Sequence, residues 1–237
     1  HYLFADRFGR PGKGNDKVTL NRVSMPMDIT LETGSDRLII TGSGDATITV
    51  KSGNHTIESG SGDDTIRLNV GNNSVEAGAG NDTITVGSGS NTIQGEGGND
   101  TYIFGSSFAN NTIIESGSDA SDKVDFSGHS RPLTFTLNGS SYSITNGTAT
   151  VTNSDRGVDI FVGSSVADIY NVTNTASHNV ILRGSGGTDT YNVTFGALDG
   201  PVTIDDATKA TDSDFLNLVS TASGQLTLSD TTGDAKI

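Results

Sequence analysis

The chain has 237 residues, with 14 lysines and arginines against 28 aspartates and glutamates, and a formal net charge of −14. Because no basic patch could neutralise phosphates, nucleic acid is not an expected partner. The absence of cysteine excludes disulfides and thiolate metal sites, and no apolar run is long enough to span a membrane. Only 32% of the residues are hydrophobic and 31 are glycine, a composition that favours disorder without a metal and order with one.

The first nine residues are similar to a later part of the chain. His1-Tyr-Leu-Phe-Ala-Asp-Arg-Phe8-Gly matches Thr101-Tyr-Ile-Phe-Gly-Ser-Ser-Phe108-Ala at its aromatic positions. Residue 1 therefore falls inside a repeat unit. We expect the chain to be a segment of a longer repetitive protein.

A nine-residue period occupies residues 42–104. Its large apolar residues are Ile48, Ile57, Ile66, Val75, Ile84, Ile93 and Tyr102. Two positions before the apolar residue, an aspartate occurs only in every second unit, as Asp64, Asp82 and Asp100. The full period is therefore 18 residues, as expected for one coil made of two strands and two turns. This period predicts that the three aspartates stack along one edge, with His55, Asn73 and Asn91 along the other.

One unit, Gly78-Ala-Gly-Asn-Asp82-Thr-Ile-Thr-Val86, illustrates the local structure. Its glycines allow a tight turn with positive φ angles, and its β-branched run predicts a short strand. Because a single unit cannot bury its apolar face, the repeat predicts an all-β solenoid of stacked coils.

The spacing changes after residue 104. Tyr102, Ile113 and Val124 are eleven residues apart. Residues 133–151 then alternate between polar and apolar around Asn138-Gly139 and Asn146-Gly147, which indicates either an antiparallel hairpin excursion or a set of longer coils. We therefore divide the chain into a regular solenoid segment at 1–128, this excursion at 129–157 and a degenerate solenoid at 158–237. One continuous elongated domain is the alternative.

Three segments resemble the calcium-binding nonapeptide of RTX (repeats-in-toxin, haemolysin-type) proteins. They are Gly60-Ser-Gly-Asp-Asp64-Thr-Ile66, Gly78-Ala-Gly-Asn-Asp82-Thr-Ile84 and Gly98-Asn-Asp100-Thr-Tyr102. Gly12-Lys-Gly-Asn-Asp16-Lys-Val18 fits equally well, and looser copies surround Asp36, Asp122, Asp168 and Asp189.

The resemblance implies a right-handed parallel β-roll with Ca²⁺ between stacked turns. It also implies ligands from the motif aspartate and from glycine carbonyls, an oxygen-only set that suits calcium. Carried onto this chain, the expected calcium ligands are Asp64, Asp82, Asp100, Gly60, Gly62, Gly78, Gly80, Gly98, Asp16 and Asp189. The best sites are expected between the turns of Asp64 and Asp82 and between those of Asp82 and Asp100.

Some positions depart from the motif. Asn73, Asn91 and His55 replace the acid on the opposite edge, so we expect an asparagine ladder there instead of a strong metal site. Glu96 replaces a motif glycine. The alternative for the aspartates themselves is that they only hydrogen-bond their own turns. Like charges one strand spacing apart, about 4.8 Å, favour an intervening cation instead.

No catalytic constellation emerges, because the four histidines have no metal-protease spacing and no nucleophile elbow or phosphate loop is present. We therefore expect a non-enzymatic segment. The favoured function is a structural or adhesive segment of a large secreted or cell-surface bacterial protein, folded and stiffened by extracellular calcium. Such a segment could build a surface layer, biofilm matrix or filament, with other chains or copies of itself as partners.

Two other functions remain open. The segment could be an accessory or export module of a secreted enzyme or toxin whose activity lies elsewhere in the protein. An outward threonine face, including Thr47, Thr65 and Thr83, could instead bind ice or surface polysaccharide, although Arg67 and Glu76 interrupt it.

Overall fold

The computed structural model describes residues 14–115, 121–139, 141–153, 157–174, 179–195, 200–205, 213–220 and 226–229. These residues form strands and turns with no helix. In chain order the strands are β1 (Lys17–Val23), β2 (Met27–Leu31), β3 (Arg37–Gly42), β4 (Ala46–Val50), β5 (Thr56–Glu58), β6 (Thr65–Val70), β7 (Ser74–Ala79), β8 (Thr83–Ser88), β9 (Thr92–Gly97), β10 (Thr101–Phe104), β11 (Asn111–Ile114), β12 (Asp122–Asp125), β13 (Thr134–Asn138), β14 (Ser141–Thr145), β15 (Thr150–Asn153), β16 (Val158–Val162), β17 (Ile169–Asn174), β18 (Val180–Arg183), β19 (Thr190–Phe195), β20 (Val202–Asp205), β21 (Phe215–Ser220) and β22 (Leu226–Ser229).

The strands form two sheets, and the chain alternates between them from strand to strand, except from β13 to β15, which all lie in the first sheet. The first sheet has the order β1-β3-β5-β7-β9-β11-β15-β14-β13-β17-β19-β21, and the second has the order β2-β4-β6-β8-β10-β12-β16-β18-β20-β22. Neighbouring coils pair in parallel, as between β6 and β8 and between β7 and β9. This arrangement confirms the predicted all-β solenoid of stacked coils.

The core lies between the two sheets and is built from columns of identical or similar side chains. In the second sheet, Ile48, Ile66, Ile84, Tyr102 and Val124 are successive register partners, and all five are fully buried. The nine-residue apolar period of the sequence is therefore the spacing between inward-facing positions on alternate sheets. Burying one large apolar side chain in such a column contributes about 1.5–3 kcal/mol.

The turns between the sheets depend on glycine at close coil-to-coil contacts. Gly78 has φ 105°, and a Cβ at this position would overlap with the carbonyl oxygen of Gly60 in the preceding coil. A side chain here would push the coils apart. Glu96 occupies the equivalent position one coil later with φ 72°, which is unfavourable for a residue with a side chain.

Strands β13, β14 and β15 form an antiparallel meander inside the otherwise parallel first sheet. Its turns contain the Asn-Gly pairs, with φ 60° at Gly139 and φ 87° at Gly147. Strand β11 pairs with β15, and β13 pairs with β17, so the parallel stack continues on both sides of the meander. An antiparallel excursion is thus present, while the division of the chain into three domains stays a prediction.

Aromatic side chains fill the core around the meander and beyond it. Phe104 stacks on Phe126 at 4.6 Å between ring centroids, and Phe135 stacks on Tyr170 at 4.3 Å. Tyr170 in turn stacks on Tyr191 at 4.9 Å.

The described part of the chain holds no helix long and apolar enough to cross a membrane.

Candidate metal centre

Four buried aspartates form a ladder along the edge where the chain enters the second sheet. Asp64, Asp82 and Asp100 stand immediately before β6, β8 and β10, and Asp122 is the first residue of β12. Each is 1–2% exposed. The sequence predicted that the first three share an edge, and the structure adds Asp122.

One carboxylate oxygen of each ladder aspartate holds the preceding coil in place. Asp82 Oδ1 accepts a hydrogen bond from the backbone N–H of Asp64 at 2.7 Å, and Asp100 Oδ1 accepts one from that of Asp82 at 2.8 Å. The N–H of Asp100 donates to Asp122 Oδ1 at 2.7 Å. At the start of the ladder, the N–H of Ala46 donates to Asp64 Oδ1 at 2.7 Å. These contacts fix the spacing of the carboxylates.

The second oxygen of three ladder aspartates has no hydrogen-bond partner among the described residues. Asp64 Oδ2, Asp82 Oδ2 and Asp100 Oδ2 are each buried from solvent. A buried carboxylate oxygen without a donor is costly, because it has lost its hydration and gained nothing in return. The ladder therefore offers a row of desolvated carboxylate oxygens to a cation.

Burial raises the pKa values of the ladder aspartates. Desolvation raises the pKa of Asp82 from 3.8 to about 7, with the charges of Asp100 and Asp64 adding to the shift and the N–H of Asp64 opposing it. Desolvation also raises the pKa of Asp64 to about 6 and that of Asp122 to about 7. The pKa of Asp100 rises for the same reason. Burial thus disfavours the charged form of each aspartate, and a bound cation would favour it.

The glycines named by the motif lie in the turns before the ladder aspartates or, for Gly78, near the end of the preceding strand, and they stack coil on coil. The carbonyl oxygen of Gly62 faces Gly80 closely enough that a Cβ there would overlap with it, and the carbonyl of Gly80 faces Gly98 in the same way. The carbonyl of Gly60 likewise faces Gly78. Backbone oxygens therefore lie between successive turns, next to the aspartates.

This donor set fits calcium. It consists of carboxylate and carbonyl oxygens only, whereas zinc is usually held by nitrogen or sulfur. A cation between stacked turns requires several oxygen ligands, and the unpartnered carboxylate oxygens and the carbonyls of the stacked glycines provide them. Asp64, Asp82 and Asp100, with carbonyls of Gly60, Gly62, Gly78, Gly80 and Gly98, would hold such ions. Their role as ligands stays a prediction.

Asp16 lies on the opposite edge, where the chain enters the first sheet. Its N–H donates to Asp36 Oδ1 at 2.9 Å, and the N–H of Asp36 donates to His55 Nδ1 at 3.1 Å. Gly12, the first glycine of its motif, lies outside the described residues. Asp16 is thus separated from the ladder that holds Asp64, Asp82 and Asp100.

Asparagines continue this opposite edge in place of acids. Asn73 Nδ2 donates to Asn91 Oδ1 at 3.0 Å, and Asn91 Nδ2 donates to Asn111 Oδ1 at 2.9 Å. The same oxygens accept backbone N–H groups of the preceding coil. This is the asparagine ladder that the sequence predicts.

Asp189 lies on the same edge as Asp16, beyond the meander. The N–H of Asp168 donates to Asp189 Oδ1, and the N–H of Asp189 donates to Asp214 Oδ1, each at 2.7 Å. Asp168 already accepts hydrogen bonds from Ser164 at both carboxylate oxygens. The C-terminal acids therefore form a second ladder that does not join the first.

Two features of the site were missed from the sequence. An exposed outer ladder runs beside the buried one, in which Asp45, Asp63, Asn81 and Asn99 each accept a backbone N–H from the following coil. The recurrence of Asp or Asn just before the ladder position was a detectable signal for it. Glu115, a buried acid beside Asp100 and Asp122, has no motif signal of its own.

The comparisons with known proteins agree with this geometry. The family model for the RTX calcium-binding nonapeptide repeat (4 copies) matches residues 40–75 and again residues 76–107. These ranges include the turns of Asp64, Asp82 and Asp100. The chain matches no curated protein.

Proposed function

We propose a calcium-dependent structural role for this chain, on the premise that it is an RTX-type repeat protein whose residues 40–107 carry calcium-binding nonapeptides. In this role calcium ions between stacked turns complete the fold and stiffen it. The chain is then a structural or adhesive segment of a large secreted or cell-surface bacterial protein.

The observation that carries the proposal is the row of buried Oδ2 atoms at Asp64, Asp82 and Asp100, which have no donor among the described residues. A cation between the turns would neutralise two neighbouring carboxylates at once. Asp82 would serve two ions, because it lies between the other two aspartates in the ladder.

Extracellular action follows from the need for calcium. RTX repeats typically occur in secreted proteins. The net charge of −14 opposes compaction until cations bind, so a calcium-poor compartment would disfavour the fold and a calcium-rich exterior would favour it.

Other chains or copies of this one are the proposed partners. Among the strands that the structure describes, β21 is the last in the first sheet, and its Phe215, Leu218 and Val219 are 51–58% exposed. Apolar end strands of this kind can pair with another chain.

Thr47, Thr65 and Thr83 are register partners on the outer surface, which makes surface polysaccharide the other class of partner to test.

The test is the free energy of unfolding of the whole chain, measured with urea as a function of free calcium, with magnesium as the control. For each calcium-specific ion that only the folded chain binds, a tenfold rise in calcium above its dissociation constant adds about 1.4 kcal/mol. An unfolding free energy that rises with the logarithm of calcium concentration by the amount expected for at least one bound ion supports the proposal. A flat dependence, or an equal effect of magnesium, contradicts it.

A further inference from the structure

A cluster of three buried acids lies at the end of the aspartate ladder. Asp100, Glu115 and Asp122 each offer a carboxylate oxygen, and these oxygens lie within 4.8 Å of one another. All three side chains are 1–2% exposed. Such close, desolvated like charges repel strongly unless a proton or a cation separates them.

Glu115 enters the cluster from the opposite sheet. It follows β11 directly, and the pairing of Ile114 with Gln94 places it beside Gly95 in the neighbouring coil. Earlier coils have Ser59 and Ala77 in the same column, where this coil has a carboxylate. Gly157 makes room for it, because a Cβ on that glycine would overlap with Glu115 Cβ.

Oxygens of Asp100 and Glu115 lie around the same small space beside Gly95. A Cβ built on Gly95 would meet Asp100 Oδ2, Tyr102 Oη and Glu115 Oε1 together, so these atoms surround one small volume. Asp100 Oδ2 is buried and has no hydrogen-bond partner among the described residues. The Tyr102 hydroxyl also borders this volume and donates a hydrogen bond to Glu115.

We propose that Asp100, Glu115 and Asp122 hold a calcium ion of their own, on the core side of the ladder. This site differs from the turn sites because its protein ligands are carboxylates from both sheets instead of glycine carbonyls. The oxygen-only set favours calcium over zinc, and a buried all-protein cage favours calcium over magnesium, which prefers to keep several waters. The ion would fasten β10, β11 and β12 together next to the meander.

This site rests on the proposed calcium ladder, and its test distinguishes a failure of this site from a failure of the ladder. Calcium bound per chain is counted by equilibrium dialysis for the wild type, Glu115→Gln, Asp82→Asn and the control Glu76→Gln, which alters an exposed glutamate of β7. Glu115→Gln is expected to lose one ion per chain, and Glu76→Gln none. An unchanged count and affinity in Glu115→Gln, with ions lost in Asp82→Asn, overturns this site alone. No calcium binding in the wild type overturns both proposals.

A second measurement does not require Glu115 to be replaced. Terbium, a calcium substitute, emits when a nearby tyrosine is excited, and Tyr102 Oη borders the proposed site. Tyrosine-excited terbium emission is expected to persist in Asp82→Asn, whose turn sites are weakened, and to fall by most of its intensity in Tyr102→Phe. Emission that Tyr102→Phe leaves unchanged, or that Asp82→Asn abolishes, overturns the site.

Discussion

At the scale of single residues, aspartate and asparagine ladders satisfy their hydrogen bonds in different ways. Asn91 accepts at Oδ1 and donates at Nδ2 to Asn111, so its side chain is complete without a metal. Asp82 accepts at Oδ1 but leaves Oδ2 unpartnered. An asparagine in the ladder thus has all its hydrogen bonds without a metal, whereas an aspartate in the same place has an unpartnered oxygen that attracts a cation.

Replacing Asp82 tests this difference. Asp82→Asn keeps the acceptor for the N–H of Asp64 but removes the charge between the two proposed turn sites. Because calcium affinity depends on the number of charged ligands, we expect affinity to fall by about tenfold or more in isothermal titration calorimetry. Wild-type affinity in this variant would remove Asp82 from the ligand set.

Asn73→Ala is the matched change on the other edge. It removes the acceptor of the His55 N–H, at 3.0 Å, and leaves a buried donor unpaired. We expect a loss of about 1–3 kcal/mol in the free energy of unfolding and an unchanged number of bound ions. A lost ion would mean that the asparagine edge also binds metal.

Glu96 offers a test of the turn backbone. Its φ of 72° is positive, as is the φ of 105° at Gly78, the equivalent position one coil earlier, and its side chain is exposed. Glu96→Gly should therefore raise the free energy of unfolding in calcium by about 1 kcal/mol, since the left-handed penalty of 1–2 kcal/mol is partly offset by the greater flexibility of the unfolded chain. Urea denaturation measures the change, and a lower stability would contradict it.

At the scale of strands and coils, the sequence predicted well where the repeat is strict. The 18-residue period specified that Ile66, Ile84 and Tyr102 share a column and that Asp64, Asp82 and Asp100 share an edge, and the register agrees. Parallel stacking makes such prediction possible, because each coil repeats the environment of the one before it.

The prediction was less complete where coils lengthen. Asp100 and Asp122 are 22 residues apart, yet they occupy consecutive rungs, because the pairing of Thr101 with Lys123 preserves the register. The extra residues do not shift the strand pairing, so a fixed period cannot detect the next aspartate of the ladder. Glu115 was missed for a related reason, since its role depends on contacts between the two sheets.

At the scale of the whole molecule, folding and metal binding are coupled through charge. The chain combines a net charge of −14 with 31 glycines, so repulsion and backbone entropy both oppose compaction. Metal ligands must be deprotonated, and their binding energy then contributes to folding.

The raised pKa values predict an unusual pH dependence. The pKa of Asp82 rises from 3.8 to about 7 and that of Asp64 to about 6, so without calcium the folded chain holds these protons more tightly than the unfolded chain does. The stability of the calcium-free chain should therefore fall as pH rises through this range. Circular dichroism in chelator at about pH 5.5 and about pH 7.5 measures this as the folded fraction, which should be larger at pH 5.5, and a larger folded fraction at pH 7.5 would contradict it.

In the presence of calcium, the stability of the folded chain should instead rise with pH. Because the ion competes with protons for the same carboxylates, its affinity should rise by about tenfold per pH unit for each proton released, up to about pH 7. Calorimetric titration at the same two pH values measures the change. A calcium affinity that does not change with pH would separate the ions from the ladder aspartates.

The most direct test of calcium-dependent folding is far-ultraviolet circular dichroism of the whole chain during calcium titration after chelation, with magnesium as the control. The proposal predicts a largely unfolded spectrum in chelator and a cooperative transition to β structure at sub-millimolar to millimolar calcium, which magnesium does not reproduce. A β spectrum already present in chelator and unchanged by calcium would contradict it, because the solenoid would then fold without metal.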